Sequence, residues 1–269
     1  MPRAAGGRGR QPPVLKKFGQ HFLTDPAILT AIVDALAPTQ NDTVVEIGPG
    51  RGALTDILAE RARKVVAVEI DRALAAQLRE KYSGRSNIEI VEGDFLKTDA
   101  HSLAGDDVLL IGNVPYYITT PIVFKALDPP IPRRSVFLVQ REVAERMAAA
   151  ASDDSYGALS VNVAVVADVE QVLRVPAGAF KPPPKVESAV VRLTPRMQPL
   201  VSYESLTGFR TFVLAAFGQR RKQMQRVLRS VRAVSPPKAT ELLQSVGIDP
   251  SARPEVISPE DFARLYKLL

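Results

Sequence analysis

Thr43-Val44-Val45-Glu46-Ile47-Gly48-Pro49-Gly50-Arg51-Gly52-Ala53-Leu54-Thr55 reads as a strand, a glycine-rich turn and the opening of a helix. Glycines at alternate positions let the backbone approach a ligand closely and adopt positive φ. The spacing is not the dinucleotide fingerprint, because Gly52 comes one residue early for G-x-G-x-x-G. An acid inside the strand, Glu46, would also repel a pyrophosphate. The turn therefore favours an adenosine ligand without phosphates, with Gly48 and Gly50 as candidate contacts.

Working outward, a crossover helix leads to a second strand, Val65–Glu69. Glu69 lies 17 residues past Gly52, close to the ~20 expected for an acid that accepts both ribose hydroxyls. The alternative is a strand-end acid capping helix 71–82, a role Asp71 fills equally well. A third strand, Ile88–Val91, ends in Gly93-Asp94-Phe95. Asp94 there either accepts from the exocyclic amine of an adenine, with Phe95 packed nearby, or is a turn aspartate; the stretch itself does not decide.

The apolar run Val108-Leu109-Leu110-Ile111-Gly112 is a fourth, buried strand that opens into Asn113-Val114-Pro115-Tyr116. Loops at the carboxyl ends of strands hold ligands in open α/β sheets. Asn113 offers an amide oxygen, Val114 a backbone carbonyl and Tyr116 a flat ring. Pro115 stiffens the loop with a fixed φ and no N–H. Two acceptors beside an aromatic face suit a planar group bearing an exocyclic amine.

Further along, Asp25-Pro26 opens a helix Ala27–Leu36, and Thr119-Thr120-Pro121 opens a helix Ile122–Leu127. A fifth strand, Val136–Val139, precedes helices over 141–150 and 157–167. Phe180-Lys181-Pro182-Pro183-Pro184-Lys185-Val186-Glu187-Ser188 is a stiff segment leading into a strand, Ala189–Leu193. Phe180 is either a second aromatic wall for a base or a loop aromatic tucked under the prolines. The regular alternation of strands and helices predicts an α/β fold with a mostly parallel, doubly wound sheet.

Thr194–Pro199 reads as a linker, so the expected organisation is a tail 1–17, an α/β domain 18–195 and a helical domain 196–269. Helical periodicity covers 203–217, 219–232, 238–246 and 258–268. The 269 residues contain 46% hydrophobic residues, no cysteine and only His21 and His101, so thiolate and histidine-rich metal sites are excluded. A reducing, cytoplasmic setting without membrane spans is expected.

The net charge is +6, but it sits at the ends. Residues 1–17 hold five Lys/Arg and no acid, and 196–269 hold twelve Lys/Arg against six acids, leaving the middle mildly acidic. Residues 1–13 lack periodicity and read as a disordered arm. No acid occurs between Glu204 and Glu241, where Arg210, Arg220, Arg221, Lys222, Arg226, Arg229, Arg232 and Lys238 fall. Lys222, Arg226 and Arg229 are spaced as a stripe on one helix face, beside the contiguous cluster Arg220-Arg221-Lys222. Such a stripe is either a solvated face or, lacking a compensating acid, a grip for phosphate, and the absence of acid favours the second reading.

Taken together, FGQHFL (18–23), VVEIGPGRGALT (44–55), VAVEID (66–71), EGDFL (92–96), NVPYYI (113–118), FKPPPKVESAVVRL (180–193) and AFGQRRK (216–222) resemble the KsgA-type small-subunit (16S) rRNA adenine N6,N6-dimethyltransferases. The resemblance runs from about Phe18 to the C-terminus. It implies a Rossmann-like S-adenosylmethionine methyltransferase domain followed by a small all-helical RNA-binding domain. It also implies a monomer acting on small-subunit rRNA during ribosome biogenesis, with no metal.

In the family the donor pocket is formed at the positions of His21, Leu23, Gly48, Glu69, Asp94 and Asn113. Glu69 would bind ribose, Asp94 the donor's adenine, and Asn113 with Val114 the target amine. The family commonly has Asn where this chain has His21 and Leu where it has Val114. The rival readings are the resistance-type methyltransferase of large-subunit rRNA and a non-catalytic assembly factor that keeps the fold.

Overall fold

A computed structural model describes residues 21–269 of the chain, so the expected N-terminal arm and the start of the FGQHFL motif lie outside the described residues. In chain order the elements are β1 Phe22–Leu23, α1 Pro26–Leu36, β2 Thr43–Ile47, α2 Ala53–Arg61, β3 Lys64–Glu69, α3 Arg72–Lys81 and β4 Ile88–Glu92. There follow α4 Ala100–Ala104, β5 Val108–Asn113, α5 Thr119–Ala126, β6 Arg134–Gln140, α6 Arg141–Ala148, α7 Ala158–Ala164 and β7 Ala167–Val175. The chain closes with β8 Phe180–Lys181, β9 Ser188–Pro195, α8 Leu206–Phe217, α9 Met224–Arg232, α10 Pro236–Ser245 and α11 Pro259–Tyr266.

Seven strands form one sheet in the order β4-β3-β2-β5-β6-β9-β7. The five from β4 to β6 are parallel, as expected, whereas β9 runs antiparallel to β6 and β7 antiparallel to β9. The sheet is thus mostly parallel, as expected, with two antiparallel strands at one edge.

The predicted helix 157–167 stops at Ala164, and β7, a strand the sequence pattern does not announce, begins at Ala167. Its period of two is broken by a register shift between Gln171 and Leu173. A bulge of that kind removes the alternation by which a strand is recognised.

Elsewhere alternation explains the two cores. Val44, Val65, Leu109, Ile111, Val136 and Leu138 face α1 and α2, while Val45, Val66, Val108, Leu110 and Phe137 face the other side. On that second side the sheet shares one continuous apolar cluster with Phe209, Phe212, Val213, Val227, Leu228 and Phe262 of the C-terminal helices.

The strand order reverses between β2, which leads outward to β3, and β5, which leads to β6. Ile47 pairs with Gly112, so the turn after β2 and the loop after β5 lie side by side at the carboxyl edge. A crevice opens there, where a doubly wound sheet takes its ligand.

Candidate active site at the switch point

The crevice has a cavity volume of about 400 Å³. Its lining includes His21, Leu23, Gly48, Gly50, Glu69, Asp94, Phe95, Asn113, Val114, Pro115 and Tyr116. Sequence reasoning had placed all of these in the site, though they come from five separate stretches of chain. Phe180 is the exception. Its ring is 2% exposed, packed with Leu23, Leu29 and Val190, and does not line the cavity. Pleat alternation in the short β8 turns Phe180 into the core, so its expected place as an aromatic wall of the site is corrected.

The glycine-rich turn is shaped for close approach. Gly50 has φ 59°, and a Cβ there would stand 2.9 Å from the Phe22 ring. Its N–H donates to Glu69 Oε2 at 3.0 Å, and the Asp71 N–H donates to Glu69 Oε1 at 2.9 Å. Glu69 therefore keeps its carboxylate aimed at the cavity, with a second lone pair on each oxygen for a ligand hydroxyl. Burial raises its pKa while those backbone N–H groups pull it back. Asp71, not Glu69, caps α3, accepting from the Ala73 and Leu74 N–H groups. Asp94 uses Oδ1 to hold the Leu96 N–H at 3.0 Å, which leaves Oδ2 for a donor in the cavity.

Deeper, Glu46 is 1% exposed and accepts from the Thr55 hydroxyl at 2.6 Å. Burial pushes its carboxyl up to about 8, against the lowering effect of the Thr55 hydrogen bond. The unfolded chain releases this proton near the ordinary glutamate value of 4.5 and the folded chain near 8. Between these values the native state holds the extra proton, so stability falls as pH rises, at about 1.4 kcal/mol per unit. From about pH 5 to pH 8 the wild type should lose up to about 4 kcal/mol relative to Glu46→Gln, measured by urea unfolding. Parallel pH curves for the two proteins would remove this carboxyl from the account.

The loop after β5 brings four of the candidate residues together, Asn113, Val114, Pro115 and Tyr116. Asn113 Nδ2–H donates to the His21 backbone carbonyl at 3.0 Å. A carbonyl accepts only from the N–H side of an amide, so this bond fixes which way the side chain faces and presents Oδ1 elsewhere. Val114 is 1% exposed, and its N–H is held by the Leu138 carbonyl at 3.3 Å. Among the described residues neither Asn113 Oδ1 nor the Val114 carbonyl accepts a hydrogen bond. The Tyr116 hydroxyl is 2.6 Å from Ser188 Oγ, and its ring stacks beside His21 with centroids 6.0 Å apart. Burial raises the Tyr116 pKa, so the hydroxyl stays protonated.

Residues 14–269 match the description "Ribosomal RNA adenine dimethylase". The chain belongs to that family. It is 43% identical over 265 residues to ribosomal RNA small subunit methyltransferase A of Bacillus mycoides (strain KBAB4), covering 94% of this chain and 90% of the relative. The protein of the same name from Bacillus cereus (strain B4264) is 42% identical over the same span.

Among solved structures, a dimethyladenosine transferase from Plasmodium falciparum superposes with a TM-score of 0.77 at 28% identity, covering 91% of this chain and 96% of that one. The 23S rRNA methyltransferase ErmE gives 0.71 at 32% identity, with 91% and 98% covered. The overall fold is thus shared with both proteins.

Several lining residues of this dimethylase-family site escaped sequence reasoning. Phe22 and Ile70 line the cavity, and Ile70 is 45% exposed, as expected of an apolar side chain left open for a ligand. Ser188 lies at the start of β9 and reaches Tyr116 across 72 residues of sequence. No local pattern announces a contact of that range.

The cation stripe is only partly realised. Lys222 lies in the turn before Gln223, the N-cap of α9, so it does not share a helix face with Arg226 and Arg229; that expectation is corrected. The helix start is set by that cap rather than by the periodicity. Arg220 pairs with Glu255 at 2.6 Å, Lys238 pairs with Glu241 at 2.8 Å, and buried Arg210 pairs with Asp128. Arg232 stacks on Phe212 and Tyr266, each 5.5 Å from the guanidinium carbon. Arg221, Lys222, Arg226 and Arg229 are exposed and form no ion pair among the described residues.

Among the described residues no helix is long and apolar enough to cross a membrane, and no His/Cys/Asp/Glu group is arranged to hold a metal ion.

Proposed function

We propose that the chain dimethylates N6 of adenines in small-subunit (16S) rRNA, acting as a cytoplasmic monomer with S-adenosylmethionine as methyl donor. The observation that carries this reading is the pair of acceptors left unused among the described residues, Asn113 Oδ1 and the Val114 carbonyl, in an apolar cleft beside the glycine-rich turn.

The cleft fits the donor. Gly50 leaves a cradle that a Cβ would fill, Glu69 offers oxygens to ribose, and Asp94 offers Oδ2 to an adenine amine, between Ile70 and Phe95. When bound, S-adenosylmethionine supplies a methyl group on a sulfonium sulfur, which leaves with the electrons of the broken carbon–sulfur bond.

A target adenine reaches the loop only after leaving its stack, which costs least when it is unpaired. The Tyr116 ring takes the base face. Asn113 Oδ1 and the Val114 carbonyl accept the two N6 protons and draw the nitrogen lone pair out of ring conjugation. Positioning and preorganised acceptors supply the acceleration. The proton shed by N6 passes to water, because an amide and a backbone carbonyl are not bases. In the second round only one N6 proton remains, so one acceptor suffices. Residues 196–269 act as the RNA-binding domain through Arg221, Lys222, Arg226 and Arg229, with Arg220 secondary because Glu255 neutralises it.

Gly50→Ala should weaken donor-site binding about ten-fold, because a Cβ there stands 2.9 Å from the cavity-lining Phe22 ring and forces that wall to shift, at ~1.4 kcal/mol per ten-fold. Calorimetry with S-adenosylhomocysteine measures it; unchanged affinity would place the adenosine elsewhere.

The activity is tested by incubating undermethylated small subunits, large subunits and free RNA with labelled donor and digesting the products. Dimethyladenosine from small subunits alone is the expected result. Label in large-subunit RNA would favour the rival that resembles ErmE. Subunit binding without any transfer would reduce the protein to an assembly factor.

A further inference from the structure

The proline segment between β8 and β9 is tied at both ends to the walls of the cleft. At its start Phe22 pairs with Lys181 and Leu23 with Phe180, and His21 Nδ1–H donates to the Pro182 carbonyl at 2.8 Å. At its end Ser188 holds the Tyr116 hydroxyl at 2.6 Å, and the Glu187 carbonyl accepts the Arg141 N–H at 3.0 Å. His21 and Tyr116 both line the cleft, so residues 181–187 run from one wall of its mouth to the other.

Three consecutive prolines, one of them the buried Pro184, make this strap stiff. The pleat that turns Phe180 into the core turns Lys181 outward. Lys181 and Lys185 are both exposed, and neither forms an ion pair among the described residues. The strap's single acid, Glu187, is occupied by Arg141 at 3.4 Å.

We infer that this strap is a phosphate track, in which Lys181 and Lys185 hold the RNA backbone flanking the adenine that enters the cleft. The inference rests on the reading of the cleft as an adenine site. A base seated against Tyr116 leaves its own phosphodiester at the mouth, and its neighbours must pass beside the strap. Unpaired cations on a stiff rim are how a sequence-tolerant strand groove holds single-stranded RNA. The C-terminal cations then bind the body of the particle, while the strap binds the strand being modified.

The test compares wild type with the Lys181→Gln/Lys185→Gln protein on a short single-stranded adenine-containing RNA and on undermethylated small subunits, at several salt concentrations. At roughly 0.7 per single-strand phosphate contact, the slope of log K against log salt should fall by about 1.4 in the variant. Between about 50 and 200 mM salt the wild type should then lose about seven-fold more affinity than the variant. S-adenosylhomocysteine affinity should not move. Methyl transfer by the wild type with identical salt slopes for the two proteins would overturn the track alone. The slope difference without any methyl transfer would uphold the track as an RNA contact and overturn the activity assigned to the cleft.

Discussion

Asn113→Ala lowers the turnover of methyl transfer by about 10²–10³-fold, the usual cost of removing one preorganised hydrogen-bonding group from a polar transition state. RNA affinity is retained, because the cations that hold RNA lie elsewhere. The reason is specific to this loop. The His21 carbonyl takes one Nδ2 proton, so the amide oxygen is the acceptor left for N6. Asn113→Asp should do little better: a carboxylate has no proton for the His21 carbonyl and would be repelled by it. His21→Asn, by contrast, leaves the backbone carbonyl in place and should be mild. Single-turnover kinetics with saturating donor and RNA separate these cases. An equal loss of transfer and RNA binding in Asn113→Ala would contradict the role assigned to it.

The second large effect is on binding. Replacing Arg221, Lys222, Arg226 and Arg229 together with Gln should weaken small-subunit affinity by about 10²–10³-fold near physiological salt, and lower the salt slope by about three. Donor affinity should be unchanged. Arg220→Gln alone should cost much less binding, since its charge is already answered by Glu255. Arg210→Gln should act on stability instead, because it strips a buried guanidinium from Asp128 and from the Phe124 ring 5.0 Å away. Filter binding against salt, with thermal unfolding in parallel, reads both. Equal affinity losses for Arg210, Arg220 and the exposed four would mean that net charge, not position, is what the particle senses.

The parallel half of the sheet was legible because its strands are short, largely apolar runs that stop at glycine or a polar residue, a local signal. The cleft residues were legible for the same reason: Gly48, Glu69, Asp94 and Asn113 all stand where a strand stops. What failed depends on distant chain. The bulge in β7 hides its alternation, and no nearby residue says that β9 returns antiparallel to β6. Phe180 was ambiguous because its burial is decided by pairing with Leu23, more than 150 residues away. The cation stripe was overread because α9 starts only after its Gln223 cap, which leaves Lys222 in the turn, and the neighbouring Arg220 is taken by Glu255 from distant chain.

The most direct measurement of the central claim is the structure of this chain with S-adenosylhomocysteine and an adenine-bearing RNA. The account predicts N6 within about 2.8–3.2 Å of both Asn113 Oδ1 and the Val114 carbonyl, with the base lying on Tyr116. A base whose amine points away from those oxygens, or an Asn113 amide turned to offer Nδ2 to the ring, would contradict it.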